Sequence, residues 1–506
     1  MGPTQRLVAA GLALALLVGV WSTWAFIVDD AYITYRYSRH LAEGYGPVWN
    51  IGEDPVEGFT NFAWMLWHAP FAAVGAPLAV VSKVTSLLCA GLTLWLLLRG
   101  NRTEGWRLGG PVAAAAFALF LPTYFHVTAG LETVAFATVL LRGVLLGLSA
   151  QRGEAIRSWE PVALLLLAGM LRPEGALAAL PMFIWWLVRH RADRSAWAWS
   201  AVGLLVGTGY FLSRWAYFGQ LFPNTFYVKF GNVSAGSSWM LATLWTVAPL
   251  LLLSSTLLLK ARSRPAGILI LSTTLLTYAP YAVSGPSMDY LHRFAFHAFP
   301  VLCLGAGLAV SAWRRPWTGA LTGLLAVVWV AVMGATSQDL PVIANYGTDL
   351  QRAHVAIGRG LARADVPVDA RTLAVSDAGA IPYFSGWATT DYMGLNDEAI
   401  AHGADVTATV EAVRPTVIVV SSRSPRAPLR LDKLIVHQVT DDYVQVASVQ
   451  MRADYWQVVF ASPQWADRIR GPVRRSVTAA QGRHDPGRYD LTVNRWLDRL
   501  QERLPG

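Results

Sequence analysis

The sequence predicts an α-helical polytopic membrane protein with about eleven transmembrane helices and a small C-terminal extracytoplasmic α/β domain. Hydrophobic residues make up 54% of the 506 residues, whereas charged residues make up only 14%. Apolar runs of about 20 residues, the length that spans a bilayer, recur through the first two thirds of the chain. Beyond about residue 337, short β-rich runs bounded by Gly, Pro, Ser and Asp replace them.

The polar segments between the apolar runs are of two kinds, and their alternation predicts the topology. One kind is short and rich in arginine, as in RGNRTEGWR (99–107) and RHRADR (189–194). The other carries acids, aromatics and turn residues, as in 29–61 and 214–237. Short cytoplasmic loops are enriched in Lys and Arg, so the first kind is predicted to be cytoplasmic, as is the N-terminus. The predicted crossings are 7–28, 78–98, 109–125, 131–150, 159–171, 175–189, 195–213, 238–259, 265–283, 294–313 and 317–336.

Three segments depart from simple crossings. Residues 7–28 are too long for a signal peptide and lack a clear cleavage site, which predicts an uncleaved anchor. The apolar stretch 61–77 must not cross if the charge alternation holds, so it is predicted to lie along or dip into the outer leaflet. The segments 159–171 and 175–189 are short and meet at LRPEG, which is typical of helices that line a cavity.

These features predict two domains in the plasma membrane. Residues 1–336 form a transmembrane module with juxtamembrane helices in the outer loop 29–77. Residues 337–506 form the extracytoplasmic α/β domain, which ends in a basic tail. The net charge of +9 lies largely in short loops, so it reports topology, and we find no nucleic-acid motif. The two cysteines, Cys89 and Cys303, fall inside apolar runs, so the sequence implies no disulfide framework and no cysteine metal site.

Two adjacent carboxylates, Asp29 and Asp30, follow the first predicted crossing on its outer side. One interpretation is that they cap the next helix at its N-terminus, where negative charge is favourable. Because one acid would suffice for that role, the pair indicates chemistry: a carboxyl with a raised pKa, a cation site, or a base that positions a hydroxyl nucleophile. Hard oxygen ligands suit Mg²⁺, Mn²⁺ or Ca²⁺, although two acids alone do not define a metal site.

Further polar residues accumulate at the same predicted outer side. Arg172, Lys229 and Arg293 could bind a phosphate together. Every polar residue on this side also has a purely structural interpretation. Glu132 could cap a helix, and Asp289 could form an i,i+4 ion pair with Arg293. Acids for a hydroxyl acceptor and cations for a phosphate together favour group transfer from a lipid phosphate. The remaining candidates for substrate binding are Glu132, Glu174, Asn224, Tyr227, Asp289, Tyr290 and His292.

The stretch DDAYITYRYSRHLAEGYGPVWNIGEDPVEGFTNFAW resembles the first outer loop of bacterial GT-C-type polyprenyl-phosphate-dependent glycosyltransferases. The resemblance is greatest to actinobacterial terminal arabinofuranosyltransferases of arabinogalactan and lipoarabinomannan synthesis and to the related flagellar motor control proteins. It covers about residues 20–400. The motifs GLETVAFA, LRPEGALA, FPNTFYVKF, SMDYLHRFAFHAFP, SDAGAIPYFSG and DYMGLND follow in the same order.

This resemblance implies a GT-C-like membrane fold, a polyprenyl-phosphate-linked sugar donor such as an arabinofuranose donor, and a cell-envelope polysaccharide acceptor. It implies that Asp29 or Asp30 is the catalytic base and that Asp377 closes the site from the soluble domain. Where relatives often carry GGD, this chain has SGPSMD, so the resemblance does not define a role for Asp289.

The predicted mechanism places the donor's lipid tail in the outer leaflet beside the short helices. Arg172, Lys229 and Arg293 would hold the departing phosphate, and Asp30 or Asp29 would accept the proton of the acceptor hydroxyl. Glu132 could help to stabilise an oxocarbenium-like transition state. The alternatives are a transporter or flippase of lipid-linked sugars and a non-catalytic scaffold for envelope assembly or motility.

Overall fold

The computed structural model describes residues 3–99, 106–229, 231–313 and 315–481, so the end of the predicted basic tail lies outside the described residues. Most of the described chain is helical. The α-helices are α1 (Pro3–Ser22), α2 (Asp30–Ala42), α3 (Phe62–Ala73), α4 (Leu78–Arg99), α5 (Trp106–Ala118), α6 (Pro122–Thr128), α7 (Thr133–Gln151), α8 (Trp159–Leu171), α9 (Gly175–Arg189), α10 (Arg194–Phe218), α11 (Asn224–Lys229), α12 (Val233–Thr256), α13 (Arg264–Ser284), α14 (Arg293–Phe296), α15 (Phe299–Ser311), α16 (Pro316–Ala335), α17 (Leu340–Leu350), α18 (Ala356–Ala362), α19 (Ala380–Ser385), α20 (Glu398–Ala401), α21 (Val406–Val413), α22 (Val436–Thr440) and α23 (Ala466–Gln481).

Six of the described helices are long and apolar enough to cross a membrane: α1, α4, α7, α12 with the turn that follows it, α13 and α16. Two bent pairs raise this number to eight if each is one span, because α5 and α6 meet at 64° and the helices of 290–296 and 299–311 meet at 65°. The shorter apolar helices α8 and α9 lie where the sequence predicts short cavity-lining helices. Every predicted crossing overlaps one helix or, for 109–125 and 294–313, two helices separated by a bend that is not evident in the sequence.

Close backbone contact between α5 and α15 holds the centre of the helical bundle together. A Cβ atom on Gly109 would lie 2.2 Å from the carbonyl oxygen of Gly307, and one on Gly307 would lie 2.5 Å from the carbonyl oxygen of Gly109. Small residues at such contacts let helix backbones approach closely within a membrane. The apolar faces around this contact form a large core in which Phe117, Phe296 and Phe299 are buried.

The C-terminal part of the described chain forms a five-stranded sheet in the order β2-β1-β3-β7-β6. The pairs β2-β1 and β1-β3 are parallel, whereas β3-β7 and β7-β6 are antiparallel. Every residue of β3 is buried, as expected for a strand covered on both faces. The strands are β1 (Thr372–Val375), β2 (Ala388–Asp391), β3 (Val417–Ser422), β4 (Arg430–Leu431), β5 (Leu434–Ile435), β6 (Val444–Arg452) and β7 (Tyr455–Ala461), of which β4 and β5 form a separate hairpin.

A buried arginine of α2 joins the outer loop 29–77 to the sheet region. Arg36 is only 2% exposed. Its Nε donates to the carbonyl of Trp49 (2.8 Å), and its NH1 donates to the carbonyl of Pro382 (2.8 Å). Its NH2 donates to the carbonyl of Trp387 (2.9 Å) and to Asn50 Oδ1 (3.0 Å). Oxygen atoms of residues 49–50 and of residues 382–387 therefore satisfy the Arg36 charge together. These hydrogen bonds hold α2 against α19 and the start of β2.

Replacing Arg36 by Met should destabilise this junction by about 3 kcal/mol, because hydrogen bonds to a charged group are lost and buried carbonyls are left without donors. The measurement is thermal unfolding of the purified protein in detergent. Arg39→Met is the matched control, since Arg39 lies on the same helix but is partly exposed over the Tyr383 ring. Equal melting temperatures for the two variants would contradict the role of Arg36.

Candidate active site

A cavity of about 370 Å³ lies where α2, the α8–α9 junction, the segment 222–229 and the end of α13 converge. Its volume is within the usual range for small-molecule sites. Phe59, Leu131 and Phe226 supply part of an apolar wall. The acidic and basic residues among its described lining are Asp30, Glu132, Arg172, Glu174, Lys229 and Arg293, all of which the sequence singles out.

The two adjacent aspartates occupy different environments. Asp30, the first residue of α2, is half-buried and lines the cavity. Asp29 is buried and makes no capping hydrogen bond to α2. Instead, its Oδ2 accepts from the amide of Gly379 (2.9 Å) and its Oδ1 from the amide of Ala380 (2.8 Å), at the start of α19. A Cβ on Gly379 would lie 2.5 Å from the Asp29 carboxylate, so a glycine is required at this contact.

Asp29 therefore does not fit the divalent-cation site that the sequence leaves open for the two adjacent acids. Both carboxylate oxygens of Asp29 are already held by backbone amides. Burial also raises the pKa of Asp29 to about 6. Below that pH the carboxyl is mostly protonated, which makes it a weaker ligand for a cation. Among the described residues, no group of three or more His, Cys, Asp or Glu side chains could hold a metal ion.

Glu132 lies at the centre of the basic end of the cavity and is 1% exposed. Its Oε1 is 2.5 Å from NH1 of Arg172 and 3.9 Å from NH2 of Arg293. Its Oε2 accepts from Nδ2 of Asn61 at 2.8 Å. The two arginines and the Asn61 amide thus surround the carboxylate with positive charge and a hydrogen-bond donor, which favour its ionised form. The carboxylate is therefore ionised and bridges two cations.

Arg172 owes its position to a tight turn between two short helices. α8 ends at Leu171, and Arg172 has extended backbone angles. α9 begins at Gly175, where a Cβ would lie 2.0 Å from the carbonyl oxygen of Ala168. The turn directs the Arg172 side chain inward, where its Nε also donates to Glu174 at 2.5 Å.

Arg293 follows a turn with unusual backbone angles. Leu291 and His292 have φ values of +48° and +58°, which side-chain-bearing residues rarely adopt. Asp289 holds this turn by accepting from Nε1 of Trp239 (2.8 Å) and from the amide of Phe294 (2.9 Å). Arg293 is buried, and its Nε has no hydrogen-bond partner among the described residues.

Lys229 differs from the two arginines because none of the residues that the structure describes forms an ion pair or hydrogen bond with it. It is the last residue of α11 and is half-buried at the cavity wall. Burial lowers the pKa of its ammonium group. It is therefore the lining cation whose charge is not already satisfied by a protein carboxylate in the described part of the chain.

Several predicted substrate-binding residues do not line the cavity, and some of their polar groups form hydrogen bonds within the fold instead. Nδ2 of Asn224 donates to the carbonyls of Gly394 (2.8 Å) and Asp397 (3.0 Å). The ring of Tyr227 packs against His402, with ring centroids 4.4 Å apart. The residues outside the cavity lining are Asn224, Tyr227, Asp289, Tyr290, His292 and Asp377.

Asp377, which the family resemblance places at the site, lies beyond Asp29 at the end of β1. Its carboxylate accepts from Nε2 of His354 (2.8 Å), the hydroxyl of Tyr455 (2.8 Å) and Nε2 of Gln457 (2.6 Å). These three donors turn it into the sheet region and away from the cavity. Its influence on the site therefore passes through the packing around Asp29.

Among the cavity residues that escape the sequence analysis, three belong to hydrogen-bond chains that end at its carboxylates. Thr34 and Asn61 are joined by hydrogen bonds of 3.2 Å, and Asn61 continues to Glu132. Thr34 lies four residues after Asp30 and so on the same face of α2, which is the signal that could have identified it. Tyr281, whose hydroxyl donates to Glu174, lies inside an apolar helix and carries no comparable signal.

Comparison with known sequences finds similarity over parts of the chain. Residues 344–461 match DUF8728, a domain of unknown function. A terminal β-(1→2)-arabinofuranosyltransferase of Mycobacterium tuberculosis is 29% identical over 290 residues, which is 50% of this chain and 44% of the relative. The enzyme of the same name from Corynebacterium glutamicum is 34% identical over 102 residues, 19% of this chain and 13% of the relative. The chain thus matches less than half the length of these relatives.

Solved structures are similar over most of the chain. ArnT from Cupriavidus metallidurans bound to undecaprenyl phosphate has a TM-score of 0.58 at 14% identity, covering 91% of this chain and 98% of ArnT. The mycobacterial arabinofuranosyltransferase AftD has a TM-score of 0.50 at 16% identity, covering 91% of this chain and 40% of AftD. The resemblance to GT-C-type arabinofuranosyltransferases is therefore confirmed in both sequence and fold: this chain is a multi-pass membrane protein that folds as ArnT and AftD do.

Proposed function

We propose that this protein is a membrane glycosyltransferase that moves a pentofuranose such as arabinofuranose from a polyprenyl phosphate to a cell-envelope glycan acceptor on the outer face of the membrane. The observation that carries this proposal is that Asp30 lines the same cavity as Arg172, Arg293 and Lys229. The polyprenyl phosphate bound to ArnT supports the donor class, and the names of the similar relatives support the sugar.

In the proposed reaction, a hydroxyl oxygen of the acceptor attacks the anomeric carbon of the donor sugar. The bond from that carbon to the phosphate oxygen breaks, and polyprenyl phosphate leaves. Asp30 accepts the hydroxyl proton as the new glycosidic bond forms. Arg172, Arg293 and Lys229 stabilise the charge that develops on the departing phosphate.

Asp30 is the preferred base because it faces the cavity, whereas Asp29 has both oxygens bound to backbone amides. Asp29 acts instead as a positioning residue that fixes the start of α2 against α19. In this proposal Asp30 takes part in the reaction, whereas Asp29 attaches α2 to the sheet region.

The proposed topology has eleven crossings, a cytoplasmic N-terminus and an extracytoplasmic α/β domain beyond residue 336. Its support is that all six acidic and basic cavity residues lie at helix ends or in segments that the charge pattern predicts to be outside.

Cysteine labelling of intact cells should confirm this topology. Leu429→Cys, at a site that is 73% exposed in the sheet region, should react with a membrane-impermeant maleimide. Arg191→Cys, exposed in a predicted cytoplasmic loop, should react only after permeabilisation. Of the natural cysteines, Cys303 is buried and the half-buried Cys89 is replaced beforehand. The reverse labelling pattern would contradict the orientation.

Asp30→Asn should lower kcat by about 10²–10⁴-fold, the usual contribution of a general base. The assay uses purified protein, a synthetic polyprenyl-phosphoryl arabinofuranose and an oligosaccharide acceptor. Asp29→Asn is the comparison, and it should lower the melting temperature more than the Asp30 change does because it disrupts the contact with α19. Retained turnover in Asp30→Asn would exclude Asp30 as the base, and donor translocation without a new glycosidic bond would support the flippase alternative.

Lys229→Gln should raise the KM for the donor about tenfold and leave the KM for the acceptor unchanged, because a charge-assisted phosphate contact is lost. This variant is more informative than Arg172→Ala, which would leave Glu132 and Glu174 buried without their partner. Lys260→Gln, far from the cavity, is the matched control, and Lys229→Arg should restore most of the donor affinity. Unchanged donor kinetics in Lys229→Gln would contradict the phosphate role.

A further inference from the structure

The charges that line the cavity cancel one another. Among the described lining residues there are three acids, Asp30, Glu132 and Glu174, and three bases, Arg172, Lys229 and Arg293. The proposed reaction needs the three bases for the phosphate but only one acid, Asp30, for the acceptor proton. Two carboxylates are left over, and both contact Arg172, a residue that would hold the phosphate.

Glu132 is the carboxylate best placed to compete with a phosphate. It contacts Arg172 at 2.5 Å and lies 3.9 Å from Arg293, so it reaches both guanidinium groups. Asn61 holds its other oxygen, which keeps the carboxylate aimed at the arginines. Glu174 is more exposed, and the only cation with which it forms an ion pair in the described chain is Arg172.

The substrate and the product of the proposed reaction differ in charge. A polyprenyl-phosphoryl sugar is a phosphodiester with one negative charge. The polyprenyl phosphate that leaves is a phosphomonoester whose second pKa is about 6, so it approaches two negative charges above that pH. A site with three uncompensated cations would therefore bind the product more tightly than the donor, and turnover would be limited by product release.

We propose that Glu132 is a counter-ion for product release: it shares Arg172 and Arg293 with the phosphate and so weakens binding of the doubly charged polyprenyl phosphate relative to the singly charged donor. This inference rests on the proposed function. Glu132 is a positioning residue in this scheme, because it acts through the arginines and does not itself touch the reacting atoms.

The test measures binding of a synthetic polyprenyl phosphate and steady-state kinetics in purified wild type and Glu132→Gln. Glutamine keeps the size of the side chain and can still accept from Asn61, but it removes the charge. The Kd for polyprenyl phosphate should fall about tenfold at pH 8, as expected for removal of one nearby negative charge. kcat should fall with it, product inhibition should become stronger, and the KM for the donor should change less.

The pH dependence separates a charge effect from a loss of structure. Because the product gains its second charge between pH 5 and pH 8, the ratio of wild-type to variant Kd should be larger at pH 8 than at pH 5. Glu160→Gln is the charge-matched control, since Glu160 pairs with Arg142 and lies outside the cavity lining. Its affinity for polyprenyl phosphate should equal that of the wild type at both pH values.

Each outcome bears on one of the two proposals. If wild type fails to bind polyprenyl phosphate, the proposed function is wrong. If wild type binds it and folded Glu132→Gln binds it no more tightly, only the counter-ion role is overturned. If Glu132→Gln does not fold, Glu174→Gln takes its place, with the same direction and a smaller change, because Glu174 is more exposed. Unchanged product affinity in that variant would likewise overturn the role.

Discussion

The cavity depends on the compensation of buried charge. Arg172 and Arg293 are each 7% exposed, and an isolated cation at that depth would be strongly unfavourable. Glu132 makes their burial possible by bridging them from the start of α7. The turn between α8 and α9 and the turn before α14 are thus brought to one point, and the basic end of the cavity forms there.

The same carboxylate connects the basic end to the acidic end. Glu132 accepts from Asn61, Asn61 is hydrogen-bonded to Thr34, and Thr34 lies one helical turn after Asp30 on α2. A displacement of α2 or of Glu132 would therefore strain the buried hydrogen bonds of Asn61 that connect them. On the far side, Asp29 and Arg36 attach α2 to the sheet region through backbone groups of residues 379–387. The helix that carries Asp30 is held from both directions.

The sequence identifies the acidic and basic residues that line the cavity, because charged residues are costly near a membrane and stand out in apolar surroundings. It also locates the helices, since long apolar runs leave few alternatives. It does not show which way a side chain faces. Asp29 and Asp30 are indistinguishable in the sequence, yet one binds amides of the sheet region and the other faces the cavity. Asn224 and Asp377 are polar and lie in segments predicted to be outside, but their side chains form hydrogen bonds with residues distant in the sequence.

The arrangement of the cations implies a division of roles. Arg172 and Arg293 are already paired with Glu132, so their net attraction for an anion entering the cavity is reduced. Lys229 forms no ion pair with a described residue and is therefore the cation most available to an entering anion. It lies on a short helix that Asn224 ties to the carbonyls of Gly394 and Asp397, beyond β2. The sheet region thus supports both the proposed base, through Asp29, and the cation proposed to bind the donor phosphate. This explains physically why the sheet region matters for a cavity whose acidic and basic lining residues all come from the first 293 residues.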